Sequence, residues 1–197
     1  VAERLDEAGI RCAHIGKWHL SATDYFDTAR APAGWEPEWW FDGRAHLESL
    51  PDGVRERTRH VPAPGEEPVA REHTFAGGVT DRALAFLDGA RGDDFFLALS
   101  YDEPHAPWVS PAPFADRCHE LGYPIGPSAD DDLADKPASH RHWRDDPGLA
   151  IPGHARVADG AYYDQPYYAC TAFVDDEIGR VLAALREQAP DALVIVT

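Results

Sequence analysis

Hydrophobic and polar positions along the chain predict three helices that alternate with three strands. Apolar residues recur at helical spacing in three segments, and each segment is followed by a short apolar run. Turn-forming residues such as Gly9 and Pro190 separate a helix from the strand after it. The predicted helices cover residues 1–8, about 71–90 and about 165–188, and the predicted strands cover residues 11–15, 95–101 and 192–197.

The composition of the strands indicates how they are arranged. The run Phe-Phe-Leu-Ala-Leu at 95–99 has no polar face, which is typical of a strand covered on both sides in a parallel sheet. Helices that alternate with such strands predict an α/β fold, a mostly parallel sheet layered by helices. Two long segments without clear periodicity, 21–68 and 102–160, follow the first two strands. Because ligands bind beyond the carboxyl ends of parallel strands, we expect both insertions on the side of an active site.

The bulk composition narrows the class of protein. The chain has 197 residues, of which 44% are hydrophobic, so a packed core is feasible. The formal net charge of -17 argues against binding to nucleic acid or to an anionic membrane, and no apolar run approaches the roughly 20 residues that span a bilayer. The three cysteines are widely spaced and form no CxxC pair, which favours free thiols over a zinc ribbon or a disulfide framework. The cellular compartment is left open.

Two short histidine-bearing motifs stand directly after the first two predicted strands. The first is Gly-Lys-Trp-His-Leu at 16–20, where an extended backbone would point Lys17 and His19 to one side and Trp18 to the other. The second is Pro-His-Ala-Pro, which contains His105. A fixed cation beside titratable imidazoles suits an anionic, oxygen-rich group such as a sulfate or phosphate ester. The motifs therefore predict a hydrolase of such esters whose nucleophile is not among these residues.

These motifs resemble those of the type I sulfatases, which belong to the alkaline phosphatase superfamily. The residues GKWHL at 16–20 are similar to the GKWHLG signature of that family, and residues 101–107 resemble its strand followed by PHxP. Residues 167–169 and 174–182 resemble one helix of the family, and the apolar run 193–197 resembles the strand that leads into a metal-binding motif. The order and spacing fit along nearly the whole chain. The resemblance implies an alkaline phosphatase-like fold.

The resemblance also implies roles for three residues. Lys17 would hold a sulfate oxygen, His19 would act as the base that releases sulfate, and His105 would help to protonate the leaving group. The nucleophile of the family is a formylglycine made within a C-x-P-S-R or S-x-P-S-R motif, which none of the three cysteines begins. Ligands for calcium, the metal of the family, have no counterpart either. We therefore expect residues 1–197 to be a central fragment of a sulfatase catalytic domain with an incomplete sheet, inactive without the nucleophile segment before it and the metal-motif segment after it.

Further residues suggest contacts to the substrate. The residues Trp39, Trp40, Asp42 and Arg44 would form a sugar subsite, in which aromatic faces stack on a ring and polar groups bind its hydroxyls. The alternative is a loop that covers its own hydrophobic cluster. The acidic pair Asp102 and Glu103 precedes the second motif, where it would bind substrate, orient the histidine or remain solvated.

Several functions remain open from the sequence. The first is a sulfuric-ester hydrolase that acts on a sulfated carbohydrate or another small sulfate ester, with calcium and formylglycine as its cofactors. A phosphonate or phosphate ester hydrolase of the same superfamily would use the same cation-lined pocket. A non-catalytic relative would keep the scaffold and only bind a ligand. A zinc site built from histidine-rich loops, which include His140 and His142, is a further alternative.

Overall fold

The computed structural model describes residues 1–20, 30–59, 67–120, 131–145 and 165–197. Within these residues, two parallel strands are accompanied by seven helices and two short 3-10 turns. The strands are β1 (Arg11–Gly16) and β2 (Phe95–Ser100). The helices are α1 (Ala2–Asp6), α2 (Gly43–Ser49), α3 (Asp52–Arg57), α4 (Phe75–Gly89), α5 (Ala112–Glu120), α6 (Ala138–Asp145) and α7 (Gln165–Gln188), and the 3-10 turns are Pro37–Trp39 and Arg71–His73.

The strand β1 lies between two neighbours. On one edge it pairs with β2 in parallel along its whole length, so that Gly16 faces Ser100 at the carboxyl ends. On its other edge a bridge joins Ile15 to Phe41, and the Gly16 N–H donates to the Phe41 carbonyl at 2.6 Å. Five of the six residues of β1 are buried as a result.

The last residue of β1, Gly16, is a glycine because no side chain fits at this position. Its φ is +125°, and a Cβ would lie 2.0 Å from the Ser100 carbonyl oxygen. Glycine adopts positive φ without the steric cost that a Cβ brings. The next amide, that of Lys17, donates to the same Ser100 carbonyl at 2.6 Å. The chain therefore leaves β1 while it is still bonded to β2, and the residues that follow stay at the carboxyl edge of the sheet.

The helix predicted over about 71–90 begins as an α-helix at Phe75. The reason is a cap: Thr74 Oγ1 accepts the Gly77 N–H at 3.0 Å, and the residues before it form a 3-10 turn. Close packing requires a glycine at position 77 in this first turn, because a Cβ on Gly77 would lie 2.2 Å from the Arg71 carbonyl oxygen. The core around α4 contains Ala13, Ile15, Phe41, Phe75, Val79, Ala83, Phe86, Leu87, Ala90 and Val181. Burial of each large side chain contributes about 1.5–3 kcal/mol.

The third predicted strand, 192–197, is not formed. Leu193 is 85% exposed and Ile195 is 75% exposed. A strand requires a neighbour that completes its backbone hydrogen bonds, and no described residue pairs with this run. Both faces of β2 contact other residues, as predicted, but the strand is less deeply buried than its apolar sequence indicated. All six of its residues are half-buried, because β2 lies at the edge of a two-stranded sheet in the described part of the chain.

The two insertions contain short helices that the periodicity did not reveal. The first 3-10 turn, α2 and α3 lie within 21–68, and α5 and α6 lie within 102–160. These helices have six to nine residues, too few turns for an apolar stripe to repeat. No helix in the described ranges combines the length and apolar character required to cross a membrane. Parts of the insertions lie outside the described residues, namely 21–29, 60–66, 121–130 and 146–160.

Candidate active site

A pocket lies at the carboxyl end of the parallel strands. Its volume is about 400 Å³, which is adequate for a small molecule. Its lining comes from the residues directly after β1 and β2, from α2, from the end of α3 and from the first turn of α4. The polar lining includes Lys17, His19, His46, Arg59, Asp102 and His105. The apolar lining includes Leu47, Phe75, Pro107 and Val109.

Lys17 and Asp102 form an ion pair across the two strand ends. Lys17 Nζ lies 2.6 Å from Asp102 Oδ1, and the two side chains are 24% and 22% exposed. Partial burial strengthens this attraction relative to a surface pair, because less water screens it. Asp102 therefore fixes the Lys17 ammonium at the pocket wall. Lys17 belongs to the first motif and Asp102 stands just before the second, and the parallel pairing of β1 and β2 brings them together.

The imidazole of His105 is exposed at the same pocket. Its Nδ1 lies 2.7 Å from the Ala106 carbonyl oxygen. Because a carbonyl oxygen only accepts, Nδ1 carries the hydrogen of this bond, and Nε2 is left as the atom that gains or loses a proton. The backbone N–H of His105 also donates to the Asp102 carbonyl at 2.9 Å, which ties the loop to the strand end.

The alternation predicted for the first motif is present in the structure. Lys17 and His19 line the pocket, whereas Trp18 packs among aromatic rings on the other side of the chain. The ring centroid of Trp18 lies 4.9 Å from that of His14 and 5.1 Å from that of Trp40, both nearly edge-to-face. Trp18 thus anchors the motif while its two neighbours remain available to the pocket.

The structure places Trp39, Trp40 and Arg44 away from the pocket lining. Trp40 is 7% exposed and donates from Nε1 to Asp42 Oδ2 at 3.0 Å. Trp39 packs edge-on against Phe86 of the core, with ring centroids 5.3 Å apart. Arg44 pairs at 2.8 Å with a glutamate one turn later on the exposed face of α2. Trp40 is therefore packed within the protein and Trp39 is half-buried against the core, and the sugar subsite stays a prediction.

Two pocket residues were not singled out by the sequence analysis. His46 on α2 is 6% exposed, and burial, with a smaller effect from His73, lowers its pKa to about 4. The imidazole is therefore neutral at physiological pH and offers the pocket a polar group without charge. Arg59, two residues after α3, adds an exposed guanidinium. The helix that carries His46 could have been found from Asp42, a residue type that favours helix N-termini. The Asp42 carboxylate caps α2 by accepting the Ala45 N–H at 2.9 Å.

Glu103 is a buried carboxyl group at the end of β2. Its Oε1 accepts the N–H of Ala76, in the first turn of α4, at 2.8 Å. Its Oε2 is buried and has no hydrogen-bond partner among the described residues. Burial raises the pKa of Glu103 to about 7, and the Asp102 carboxylate adds to this rise.

The described residues do not form a metal site. They contain no group of three or more histidine, cysteine, aspartate or glutamate side chains that could hold an ion. In the pocket Asp102 is already paired with Lys17, and calcium takes about six to eight oxygen ligands. His140 and His142 lie on α6 two residues apart, a spacing that points them to different faces of the helix.

The described thiols are not nucleophiles of this pocket. Cys12 lies inside β1, where burial raises the pKa of its thiol and disfavours the reactive thiolate. Cys170 on α7 is also buried, with its Sγ 3.3 Å from the Val109 carbonyl oxygen. Neither lines the pocket. The side chain of Cys118 lies outside the described residues.

Comparison with known proteins gives a family and several relatives. The family model described as Sulfatase matches residues 1–197. The chain is 38% identical over 198 residues to the uncharacterized sulfatase YidJ of Escherichia coli (strain K12), an alignment that covers 97% of this chain and 39% of YidJ. It is 29% identical to the multifunctional alkaline phosphatase superfamily protein PehA of Trinickia caryophylli, with 93% of this chain and 37% of PehA covered. The chain thus spans about two fifths of the length of these curated relatives.

Solved structures give the fold. The chain superimposes on the phosphonate monoester hydrolase SpPMH from Silicibacter pomeroyi with a TM-score of 0.62 and 23% identity, covering 95% of this chain and 44% of that one. At this identity the likeness concerns the fold alone. The two parallel strands and their helices are part of an alkaline phosphatase-like α/β fold, as the sequence predicted.

Proposed function

This chain belongs to the sulfatase family, and we propose that it supplies the substrate-holding part of a sulfuric-ester hydrolase. The observation that carries the proposal is the convergence of Lys17, His19 and His105 on one pocket, although their motifs are far apart in the sequence. An ammonium and two imidazoles together provide what a sulfate ester requires: a fixed positive charge and groups that exchange protons.

Cleavage of a sulfate monoester places negative charge on the leaving oxygen while the sulfuryl oxygens keep theirs. Lys17, held by Asp102, binds a sulfuryl oxygen, so its charge is in place before the reaction begins. His105 donates from Nε2 to the leaving oxygen when it is an imidazolium, because its Nδ1 hydrogen is engaged by the Ala106 carbonyl. His19, from the other strand end, acts as the base in the release of sulfate.

The nucleophile and the metal are proposed from the family resemblance. Formylglycine supplies the nucleophile and calcium a Lewis acid in that family. Residues 1–197 contain no C-x-P-S-R or S-x-P-S-R motif, and their described part forms no metal site, so we propose that polypeptide outside these residues supplies both. Residues 1–197 by themselves are then expected to bind an anion without hydrolysing an aryl sulfate.

The proposed substrate is a small sulfate ester, such as a sulfated carbohydrate. The volume of about 400 Å³ leaves room for a ring beside the sulfuryl group. Leu47, Phe75 and Val109 line the pocket together with the cations, and such apolar surfaces pack against the face of a ring.

A phosphonate or phosphate ester hydrolase is the second candidate. The relative PehA is named as a multifunctional member of the alkaline phosphatase superfamily, to which enzymes for both candidate reactions belong. The same cations bind any tetrahedral anionic ester, so Lys17 and His105 would serve either reaction in the same roles.

Substitution of the pocket cations tests the proposal. In the full-length gene product, Lys17→Met should lower kcat/KM for 4-nitrophenyl sulfate by about 10²–10³-fold, because one preorganised charge is lost. His105→Asn should lower it by about 10²–10⁴-fold, because proton transfer to the leaving group is lost. Lys136→Met and His140→Asn, which change the same residue types at exposed positions away from the pocket, should leave kcat/KM unchanged.

Near-normal turnover by Lys17→Met or His105→Asn would contradict the proposed roles. The ratio of kcat/KM for 4-nitrophenyl sulfate to that for 4-nitrophenyl phenylphosphonate decides between the two candidate reactions. Tight binding of inorganic sulfate without turnover of either ester would instead identify a non-catalytic relative.

A further inference from the structure

The environment of Glu103 is not explained by the roles of Lys17, His19 and His105. One carboxyl oxygen of Glu103 accepts the Ala76 N–H at 2.8 Å, and the other is buried without a hydrogen-bond partner in the described part of the chain. Burial costs an ionised carboxylate more than a neutral carboxyl, and this effect outweighs the backbone N–H groups of Ala76, Asp102 and Glu103 itself, which favour the ionised form. The side chain also lines the pocket and directly follows Asp102, the partner of Lys17.

We propose that Glu103 is a positioning residue that docks the end of β2 on α4, that its neutral form leaves the Lys17–Asp102 pair able to bind an anion, and that its ionised form weakens anion binding in the pocket. This inference rests on the proposed function, because it assumes that Lys17 binds the anionic group of the substrate. It goes further because it makes the anion affinity of the pocket depend on the protonation of Glu103.

Ionisation of Glu103 weakens anion binding because it increases the number of negative charges at one wall of the pocket. With Glu103 neutral, Lys17 meets the charge of Asp102 and then that of the incoming anion. Ionisation of Glu103 adds a further negative charge in a poorly hydrated place, where repulsion is weakly screened. Burial, reinforced by Asp102, raises the pKa of Glu103 to about 7, so this change falls in the neutral range.

The other groups around the pocket respond to pH in ways that can be separated from this one. The charged and titratable lining groups besides Glu103 are Lys17, His19, His46, Arg59, Asp102 and His105. His46 stays neutral, because its pKa is lowered to about 4. On the side of α4, Tyr101 stays neutral as well, because burial raises its pKa, and its hydroxyl lies 2.9 Å from Thr80 Oγ1. The two exposed histidines are present with or without Glu103, so a substitution of Glu103 alone isolates its effect.

The test compares sulfate affinity at two pH values. Inorganic sulfate is the probe because it remains a dianion across the neutral range. Calorimetric titration of the full-length gene product is carried out about one pH unit below and one above the pKa of Glu103. Across this interval, the affinity of the unsubstituted protein should fall by about tenfold more than the affinity of Glu103→Gln. The glutamine keeps an oxygen that accepts the Ala76 N–H and has no charge to gain.

The matched control is Glu72→Gln, the same change at an exposed glutamate on the 3-10 turn before α4. It should show the pH response of the unsubstituted protein. An unchanged pH response in Glu103→Gln would overturn the proposal.

Infrared difference spectroscopy of the unsubstituted protein provides a measurement that does not require the Glu103→Gln variant to fold. A protonated carboxyl band that disappears with a midpoint near 7 supports the proposal, and the lack of such a band overturns it. Failure to bind sulfate at any pH would contradict the proposed function. The infrared titration would still decide the protonation state of Glu103 in that case.

Discussion

At the residue scale, the position of Lys17 depends on the turn that the chain makes at Gly16. The φ of +125° and the approach to the Ser100 carbonyl leave no space for a Cβ at this position. The amide of Lys17 then bonds to β2, and its side chain reaches Asp102. The glycine therefore sets both the end of β1 and the direction in which the first cation of the pocket points.

Gly16→Ala should lower the free energy of unfolding by about 3 kcal/mol, because positive φ and a backbone clash add up. Gly53→Ala is the matched control, since a Cβ on Gly53 meets nothing within 4 Å and the residue lies inside α3. It should be neutral or stabilising by up to about 1 kcal/mol through helix propensity. Urea unfolding of the three proteins measures the difference, and equal stabilities would contradict this account of Gly16.

At the scale of elements, an ionic network joins the second 3-10 turn, α4 and α7. Glu177 of α7 is 1% exposed and accepts from Arg71 Nε at 2.7 Å. Arg71 also donates to Asp81 of α4 at 2.7 Å, and Arg180 donates to Glu177 at 2.9 Å. Two cations thus face two anions, which offsets the desolvation of the buried carboxylate. The network holds α7 in place on α4, whose first turn lines the pocket.

Glu177→Gln should destabilise the protein by about 3–5 kcal/mol at neutral pH, because it leaves two guanidinium groups close together with one carboxylate. Glu187→Gln, the same change at an exposed position of α7, should cost less than about 0.5 kcal/mol. Denaturant unfolding monitored by circular dichroism compares them. A loss of stability in Glu177→Gln as small as that in the control would contradict this account of the network.

At the scale of the whole molecule, an exposed apolar run and a large negative charge have opposite effects on self-association. Leu193, Val194, Ile195 and Val196 are between 47% and 85% exposed. Contiguous apolar surface of this kind favours association. The net charge of -17 opposes association by repulsion between copies, and salt screens that repulsion.

The 197-residue chain should therefore self-associate more strongly as the salt concentration rises. A double substitution, Leu193→Lys with Ile195→Lys, should shift it towards the monomer, because it interrupts the apolar run. Val1→Lys, a change at a single exposed apolar residue elsewhere, should have little effect. Light scattering after size-exclusion chromatography gives the mass, and a double variant as associated as the parent would show that other surfaces are responsible.

Much of the fold could be predicted because the information is local. The helix over 165–188 coincides with α7, and the two strands that frame the pocket lie within one residue of their predicted bounds. Parallel order followed from strands without a polar face that alternate with helices. The strand predicted over 192–197 did not form, because an apolar run becomes a strand only where a neighbouring backbone is present to pair with it.

The candidate site also has one part that the sequence predicts and another that depends on tertiary packing. The sequence by itself determined that Lys17, His19 and His105 follow two strands of one parallel sheet, and the parallel order of those strands places all three side chains at one edge. Only the tertiary structure decided that Trp40 packs within the protein, that Trp39 is half-buried against the core and that His46 and Glu103 enter the pocket wall. The physical reason is that burial belongs to the packed molecule. Sequence spacing fixes which face of an element a residue occupies, but the elements packed against that face decide whether its side chain meets solvent, a ring or a charge.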